Sequence, residues 1–174
     1  MRAWGVRPSR SKGQNFLLNA EIVERIADEA NIGEGDKVLE IGPGLGILTE
    51  ELLARGASVT AIELDDTLAP RLSEHFRRES QFRLVHDDAT RVDPTTLFSS
   101  HDPYRIVANL PYSVATVIIR HFLESDHPPI ELIVMVQQEV AERMTAKAGD
   151  LSLLTLAIQL YTEPAYLFTV PGDA

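Results

Sequence analysis

Cysteine is absent from the 174-residue chain, which rules out both a disulfide framework and a thiolate metal site and fits a reducing compartment. Long apolar runs are absent too. The longest, such as LIVMV and LLTLAI, fall far short of the ~20 residues of a membrane helix, and the N-terminus carries no apolar signal-peptide run. The simple expectation is a soluble cytoplasmic protein that does not enter a membrane. The five histidines, His75, His86, His101, His121 and His127, show no HxxxH-like spacing, so no metal is expected. Basic residues are scarce, 16 Lys and Arg against 26 Asp and Glu, for a net charge of −10. That balance argues against nucleic acid as a partner only if charge is spread evenly, and it is not. The first twenty residues hold Arg2, Arg7, Arg10 and Lys12 and no acid, so +4 sits at one end and −14 on the remainder. Such an end is either a solvated tail or an arm that contacts phosphate.

What is present is an ordinary globular composition, 44% hydrophobic and 24% charged, enough for one core that buries roughly 70% of the unfolded chain's surface. Short apolar runs rich in β-branched residues alternate with longer amphipathic stretches, the pattern of an α/β protein with a mainly parallel sheet and helices on both faces. Asn19 is a candidate N-cap for a helix that carries Ile22, Val23, Ile26, Ala27 and Ala30 and closes near Gly33. KVLEIG, SVTAIE, FRLVHD, YRIVAN and IELIVMV read as five parallel strands. Helices are expected from about Ile47, through Leu72 and Phe76, and over QEVAERMTAK. LSLLTLAIQLY and AYLFTV read best as a closing hairpin, for seven strands in all, although the first could also be helical. Residues 1–18 form the basic arm and 19–174 the main domain.

The first chemical signal is LEIGPGLG, where a strand runs into Gly42, Gly44 and Gly46 and then a helix. Glycine permits a tight turn and close approach to a ligand, and a helix N-terminus presents free N–H groups. Taken alone the cluster also fits a tight turn. Glu63, at the end of the next strand, adds a carboxylate able to accept both hydroxyls of a ribose. A dinucleotide fold favours GxGxxG, whereas here GxGxG follows the acid Glu40, which would repel a pyrophosphate. The arrangement suits S-adenosylmethionine, which has no phosphate and carries sulfonium and ammonium charges. Asp88, past the third strand, could hold an adenine amine, or equally cap a turn.

The fourth strand finishes on Asn109, Leu110, Pro111 and Tyr112, where α/β sheets bind ligands. An adenine amine is a poor nucleophile because its lone pair is delocalised into the ring. The Asn109 oxygen and a neighbouring carbonyl can accept its two N–H bonds, Pro111 stiffens the stretch, and Tyr112 offers a face for a flipped base. The bland alternative is a capped turn with a packed tyrosine.

KGQNFLLN, LEIGPGLGILT, VTAIELD, DDA, VANLPYSVAT and VQQEVAERM, in this order and spacing, resemble the ribosomal RNA adenine dimethyltransferase family of the KsgA/RsmA type across nearly the whole chain. The resemblance implies a Rossmann-like class I methyltransferase fold. It implies S-adenosyl-L-methionine as donor and N6,N6-dimethylation of two adjacent adenosines near the 3′ end of small-subunit (16S) rRNA, a step of ribosome biogenesis on the pre-30S subunit, by a monomer. By the same resemblance Gln14, Asn15, Leu17, Gly42, Gly44, Glu63, Asp88 and Asn109 line the cofactor site. Asn109, Leu110, Pro111 and Tyr112 hold the target base, and Arg7, Arg10 and Lys12 face RNA. The chain departs from the family pattern at Lys12, at Asp87 and in the shorter KAGDLSLL. TVPGDA stops where the family continues into a small basic helical domain, implying that this domain is absent here. Rival readings are a large-subunit rRNA adenine methyltransferase of the macrolide-resistance type, a mitochondrial transcription factor of the same lineage, a nicotinamide-dependent oxidoreductase, or a non-catalytic RNA-binding module.

Overall fold

The computed structural model describes residue 17, residues 19–147 and residues 149–171. The elements follow in the order α1 (Ala20–Glu29), β1 (Lys37–Ile41), α2 (Ile47–Ala54), β2 (Ser58–Glu63), α3 (Leu68–His75), β3 (Phe82–His86), a 3₁₀ turn (Pro94–Thr96), β4 (Arg105–Asn109), α4 (Ala115–Leu123), β5 (Glu131–Met135), α5 (Gln138–Met144) and α6 (Leu153–Gln159). Asn19 caps α1 as its position suggested: its side chain accepts from the amides of Glu21 and Ile22 at 3.0 and 3.3 Å. The helix buries Val23, Ile26 and Ala27 and is left through Asn31, at φ +47°.

The five strands form one parallel sheet in the order β3-β2-β1-β4-β5. Because parallel strands are covered on both faces, the central strands β1, β2 and β4 are mostly apolar and buried, and the alternation of side chains assigns successive residues to different layers. Leu39, Ile41, Ile106 and Ala108 pack with Ile118, Ile119 and Phe122 of α4. Val38, Val59 and Val107 pack on the opposite face, against α1 and α2 through Val23, Ile26, Leu48 and Leu52. The chain winds outward from β1 through β2 to β3 and then crosses back to lay β4 on the other side of β1. The ends of β1 and β4 therefore bracket the point where the winding direction reverses, which is where such sheets open a ligand crevice.

The expected closing hairpin is not what forms: among the described residues the sheet has five strands rather than seven. LSLLTLAIQ is helix α6 because its N-terminal residues cap a helix. Ser152 Oγ accepts from the Thr155 amide at 3.2 Å, and Thr155 Oγ1 accepts from the Ser152 amide at 3.1 Å, a reciprocal capping box. Two further side chains tie α6 to the end of α5. Thr155 Oγ1 donates to the Arg143 carbonyl at 2.6 Å, and Gln159 Nε2 donates to the Met144 and Ala146 carbonyls at 2.9 and 3.0 Å. These bonds satisfy carbonyls that a helix terminus leaves unpaired, a gain unavailable to a strand. AYLFTV, residues 165–170, carries no strand assignment. Its Phe168 packs toward α1, with the Arg25 guanidinium 3.9 Å above the ring centroid. Helix α4 is an element that the sequence pattern did not single out.

Candidate cofactor site

The glycine loop begins by extending the sheet. The Gly42 amide donates to the Ile62 carbonyl at 2.9 Å, so β1 and β2 stay paired one residue past the strand. The chain then turns through Gly42, Gly44 and Gly46, all with positive φ. At Gly46 the requirement for glycine is strictest: φ is +79°, and a Cβ would lie 2.8 Å from the Phe76 ring. A Cβ on Gly42 would meet the Pro111 ring at 3.8 Å, so the glycine loop lies directly against the turn that follows β4.

Glu63, the last residue of β2, holds this loop from the other side. Its Oε1 accepts from the Asp65 amide at 2.9 Å and its Oε2 from the Gly44 amide at 3.4 Å. Burial raises its pKa despite these two donors. Asp65 caps α3, its Oδ1 accepting from the amides of Thr67 and Leu68 at 2.8 and 3.2 Å. On the β4 side, Asn109 pairs in register with Met135. The Leu110 amide donates to the Met135 carbonyl at 3.1 Å, and the Pro111 carbonyl accepts from Val114 at 3.1 Å. Strand pairing and turn together hold the peptide groups from 109 to 114 in fixed directions.

These segments enclose a cavity of about 420 Å³, within the roughly 300–1,000 Å³ usual for small-molecule sites. Leu45, Ile47, Leu48, Leu64, Leu68 and Val114 supply apolar walls. Its polar side chains are Glu40, Glu63, Asp65, Asn109 and Ser113, and no Lys, Arg or His lines it among the described residues. Such an acidic described lining suits a cationic nucleoside and opposes a pyrophosphate.

Glu40 behaves differently from the fixed charge that its place in the sequence suggested. It is 2% exposed and its pKa is pushed up to about 8, chiefly by burial. A hydrogen bond from Thr49 Oγ1 at 2.5 Å partly opposes that rise, and the charge of Glu63 adds to it. At neutral pH this carboxyl therefore keeps its proton most of the time, and the acidity of the site is conditional.

Of the residues singled out in the sequence, Leu17, Gly42, Gly44, Glu63, Asn109, Leu110 and Pro111 all line the cavity. Tyr112 does not; it lines a larger cavity of about 1040 Å³ bounded by β5 and residues 162–171. Asp88 is likewise not on the lining of the smaller cavity. Its Oδ1 accepts from the Thr90 amide and hydroxyl at 2.9 and 2.7 Å, bonds that hold its carboxyl below the usual range. These bonds cap the turn through Oδ1. Gln14, Asn15, Arg7, Arg10 and Lys12 lie outside the described residues. Thr49 and Ser113 were missed. A lone threonine in ILTEELLA, three residues past the glycine loop, was a readable signal for the first; Ser113 had none. No group of three or more His, Asp or Glu side chains able to hold a metal occurs among the described residues, and no helix there is long and apolar enough to cross a membrane.

The sheet order, the glycine loop at the reversal point and the acid closing β2 define a Rossmann-like domain of the class I methyltransferase type. Comparison with known proteins narrows the class. A model of the family described as ribosomal RNA adenine dimethylase matches residues 7–174, and the chain belongs to that family. It is 41% identical over its whole length to the ribosomal RNA small subunit methyltransferase A of Dehalococcoides mccartyi, spanning 60% of that protein. To the protein of the same name from Moorella thermoacetica it is 45% identical, over 98% of this chain and 63% of the relative. Among solved structures it is similar to the 23S rRNA methyltransferase ErmE (31% identity, TM-score 0.69, 82% of this chain and 56% of that one). It is also similar to a dimethyladenosine transferase from Plasmodium falciparum (29% identity, TM-score 0.71, 84% and 52%). The chain thus spans about 60% of the length of the curated relatives it matches.

Proposed function

We propose that this chain is the cofactor-binding and catalytic part of a methyltransferase that uses S-adenosylmethionine to dimethylate the N6 amines of two adjacent adenosines near the 3′ end of small-subunit rRNA. In this reading it works as a cytoplasmic monomer on the assembling small subunit. The observation that carries it is the contact between the Asn109–Pro111 turn and the Gly42 loop across one cavity whose described polar lining is acidic and neutral. When bound, S-adenosylmethionine supplies an electrophilic methyl group on a cationic sulfur. Gly42, Gly44 and Leu17 would bound it, and Glu63 would accept from ribose hydroxyls with the lone pairs left by its two amide donors. Asn109, at the rim on the β4 side, would accept a hydrogen bond from the target amine together with a backbone carbonyl. Two acceptors in the plane of the amine turn its lone pair toward the methyl group, and the amine becomes acidic once alkylated, so no strong base is needed. Tyr112, facing the neighbouring cavity, would stack on the base from outside the cofactor pocket. Asp88 would hold the adenine amine of the cofactor, and Arg7, Arg10 and Lys12 would contact RNA phosphates.

Higher identity to small-subunit enzymes than to ErmE supports the small-subunit target. The test is transfer of labelled methyl groups to small subunits lacking the two dimethyladenosines, with large subunits in parallel. Label in N6,N6-dimethyladenosine of the small subunit, lost with Asn109→Ala, is the expected result. Label in the large subunit alone would transfer the assignment to the macrolide-resistance type.

A further inference from the structure

The cofactor cavity contains a group whose surroundings leave it incomplete. Glu40 is the penultimate residue of the central strand, opposite Ala61 in the β1–β2 register, and its side chain turns toward α2. There Thr49 Oγ1 donates to Oε2 at 2.5 Å. Its Oε1 receives no hydrogen bond from the described residues, yet no fully buried side-chain oxygen among them is left without a partner. Oε1 is therefore not sealed in protein; it opens onto the cavity that Glu40 lines. Among the described residues, the groups facing it from each neighbouring element are all neutral or acidic. β2 contributes Glu63, the loop after β2 contributes Asp65, the end of β4 contributes Asn109, and α2 contributes only Thr49. The other acids of α2 are engaged elsewhere, Glu50 with His75 at 2.8 Å and Glu51 with Arg55 at 2.7 Å. Among the described residues a charged Glu40 would thus have one hydrogen bond, no counter-charge and a second carboxylate beside it, a combination that favours the neutral form.

We propose that Glu40 is the charge-selecting residue of the cofactor cavity: it holds a proton while no cation is present and surrenders it when a cationic ligand enters, so that binding of S-adenosylmethionine expels a proton from Glu40. The inference rests on the reading of this cavity as an S-adenosylmethionine site. A ligand of the same adenosine shape without charge leaves the proton in place and gains nothing from Glu40. The cavity therefore discriminates by charge as well as by shape, and the strength of that discrimination depends on pH.

The experiment is isothermal calorimetry at pH 7 in two buffers of different ionisation enthalpy, which counts protons released on binding. The probes are S-adenosylmethionine and uncharged 5′-methylthioadenosine. A carboxyl titrating near 8 is mostly protonated at pH 7, so a large part of one proton should leave with S-adenosylmethionine and close to none with 5′-methylthioadenosine. Between pH 6 and 7 the affinity for S-adenosylmethionine should rise about tenfold in the native protein and stay flat in Glu40→Gln, which cannot exchange a proton. The comparison of two ligands on the unaltered protein remains decisive where the variant fails to fold. Binding of S-adenosylmethionine with no buffer dependence, or with the same proton release in a folded Glu40→Gln protein, overturns the inference and leaves the cofactor reading intact. Absence of any S-adenosylmethionine binding by the folded native protein defeats the cofactor reading, and this inference with it.

Discussion

Replacing Glu40 by glutamine should stabilise the ligand-free protein, and more so as pH rises. Glu40 is 2% exposed, and its pKa goes from 4.5 to about 8 on burial. In the unfolded chain the group ionises near its ordinary value, so between the two pKa values the native state holds a proton that the unfolded state has released. The unfolded state binds fewer protons, and stability must fall with rising pH through that window. Glu40's favourable contribution is complete below about pH 4.5 and is lost progressively up to about pH 8. At 1.36 kcal/mol per pKa unit the whole loss is roughly 5 kcal/mol, a large share of the ~5–15 kcal/mol that holds a domain together. Glutamine keeps the shape and can still accept from Thr49 Oγ1, but it has no ionised form to be favoured on unfolding. Burial also raises the Glu63 pKa, which tilts the pH profile in the same direction, but Glu63 is present in both proteins and largely cancels in the difference. The assay is denaturant unfolding of native and Glu40→Gln proteins at half-unit steps from pH 5 to 8. The stability difference should move toward the variant by several kcal/mol across the series. A difference that stays flat over that range would show that Glu40 is ionised in the native state, and the account of its environment would be wrong.

Glu63→Ala should weaken S-adenosylmethionine binding by about 1–3 kcal/mol in calorimetry, because it removes an acceptor for ribose and also frees the Gly44 amide; unchanged affinity in a folded variant would refute its role. Tyr112→Phe should keep most methyl-transfer activity, while Tyr112→Ala loses roughly tenfold to a hundredfold in single-turnover rate, the cost of ~1–3 kcal/mol of stacking. The opposite order would mean that the hydroxyl does the work. Gly46→Ala should destabilise the fold by ~1–3 kcal/mol or more in denaturant unfolding, since φ is +79° and the new Cβ would lie 2.8 Å from Phe76; a neutral result would mean that α3 shifts easily.

The five strands, the Asn19 cap and the glycine loop were all legible in the sequence because each rests on local physics. Apolar β-branched runs bury on both faces, an asparagine side chain reaches its own helix's first amides, and left-handed turns select glycine. Ordering strands and bringing residues together is a different matter. The crossover from β3 back to β4 sets the Asn109 turn against Gly42, residues separated by more than a third of the chain, and no local pattern encodes that contact. LSLLTLAIQ has an apolar content that suits strand or helix. Only the reciprocal Ser152–Thr155 cap and the bonds from Thr155 and Gln159 to the end of α5 make it a helix. The charge state of Glu40 was beyond sequence altogether, because a pKa is set by what surrounds the group in three dimensions. Its letter in LEIGPGLG says acid, but burial behind Thr49 and beside Glu63 makes it a proton holder at neutral pH. Residue order alone thus determined which segments could be strands, caps and turns, through interactions spanning a few residues. Tertiary packing decided which of them meet and how far water is excluded, and so whether an acidic side chain carries its charge.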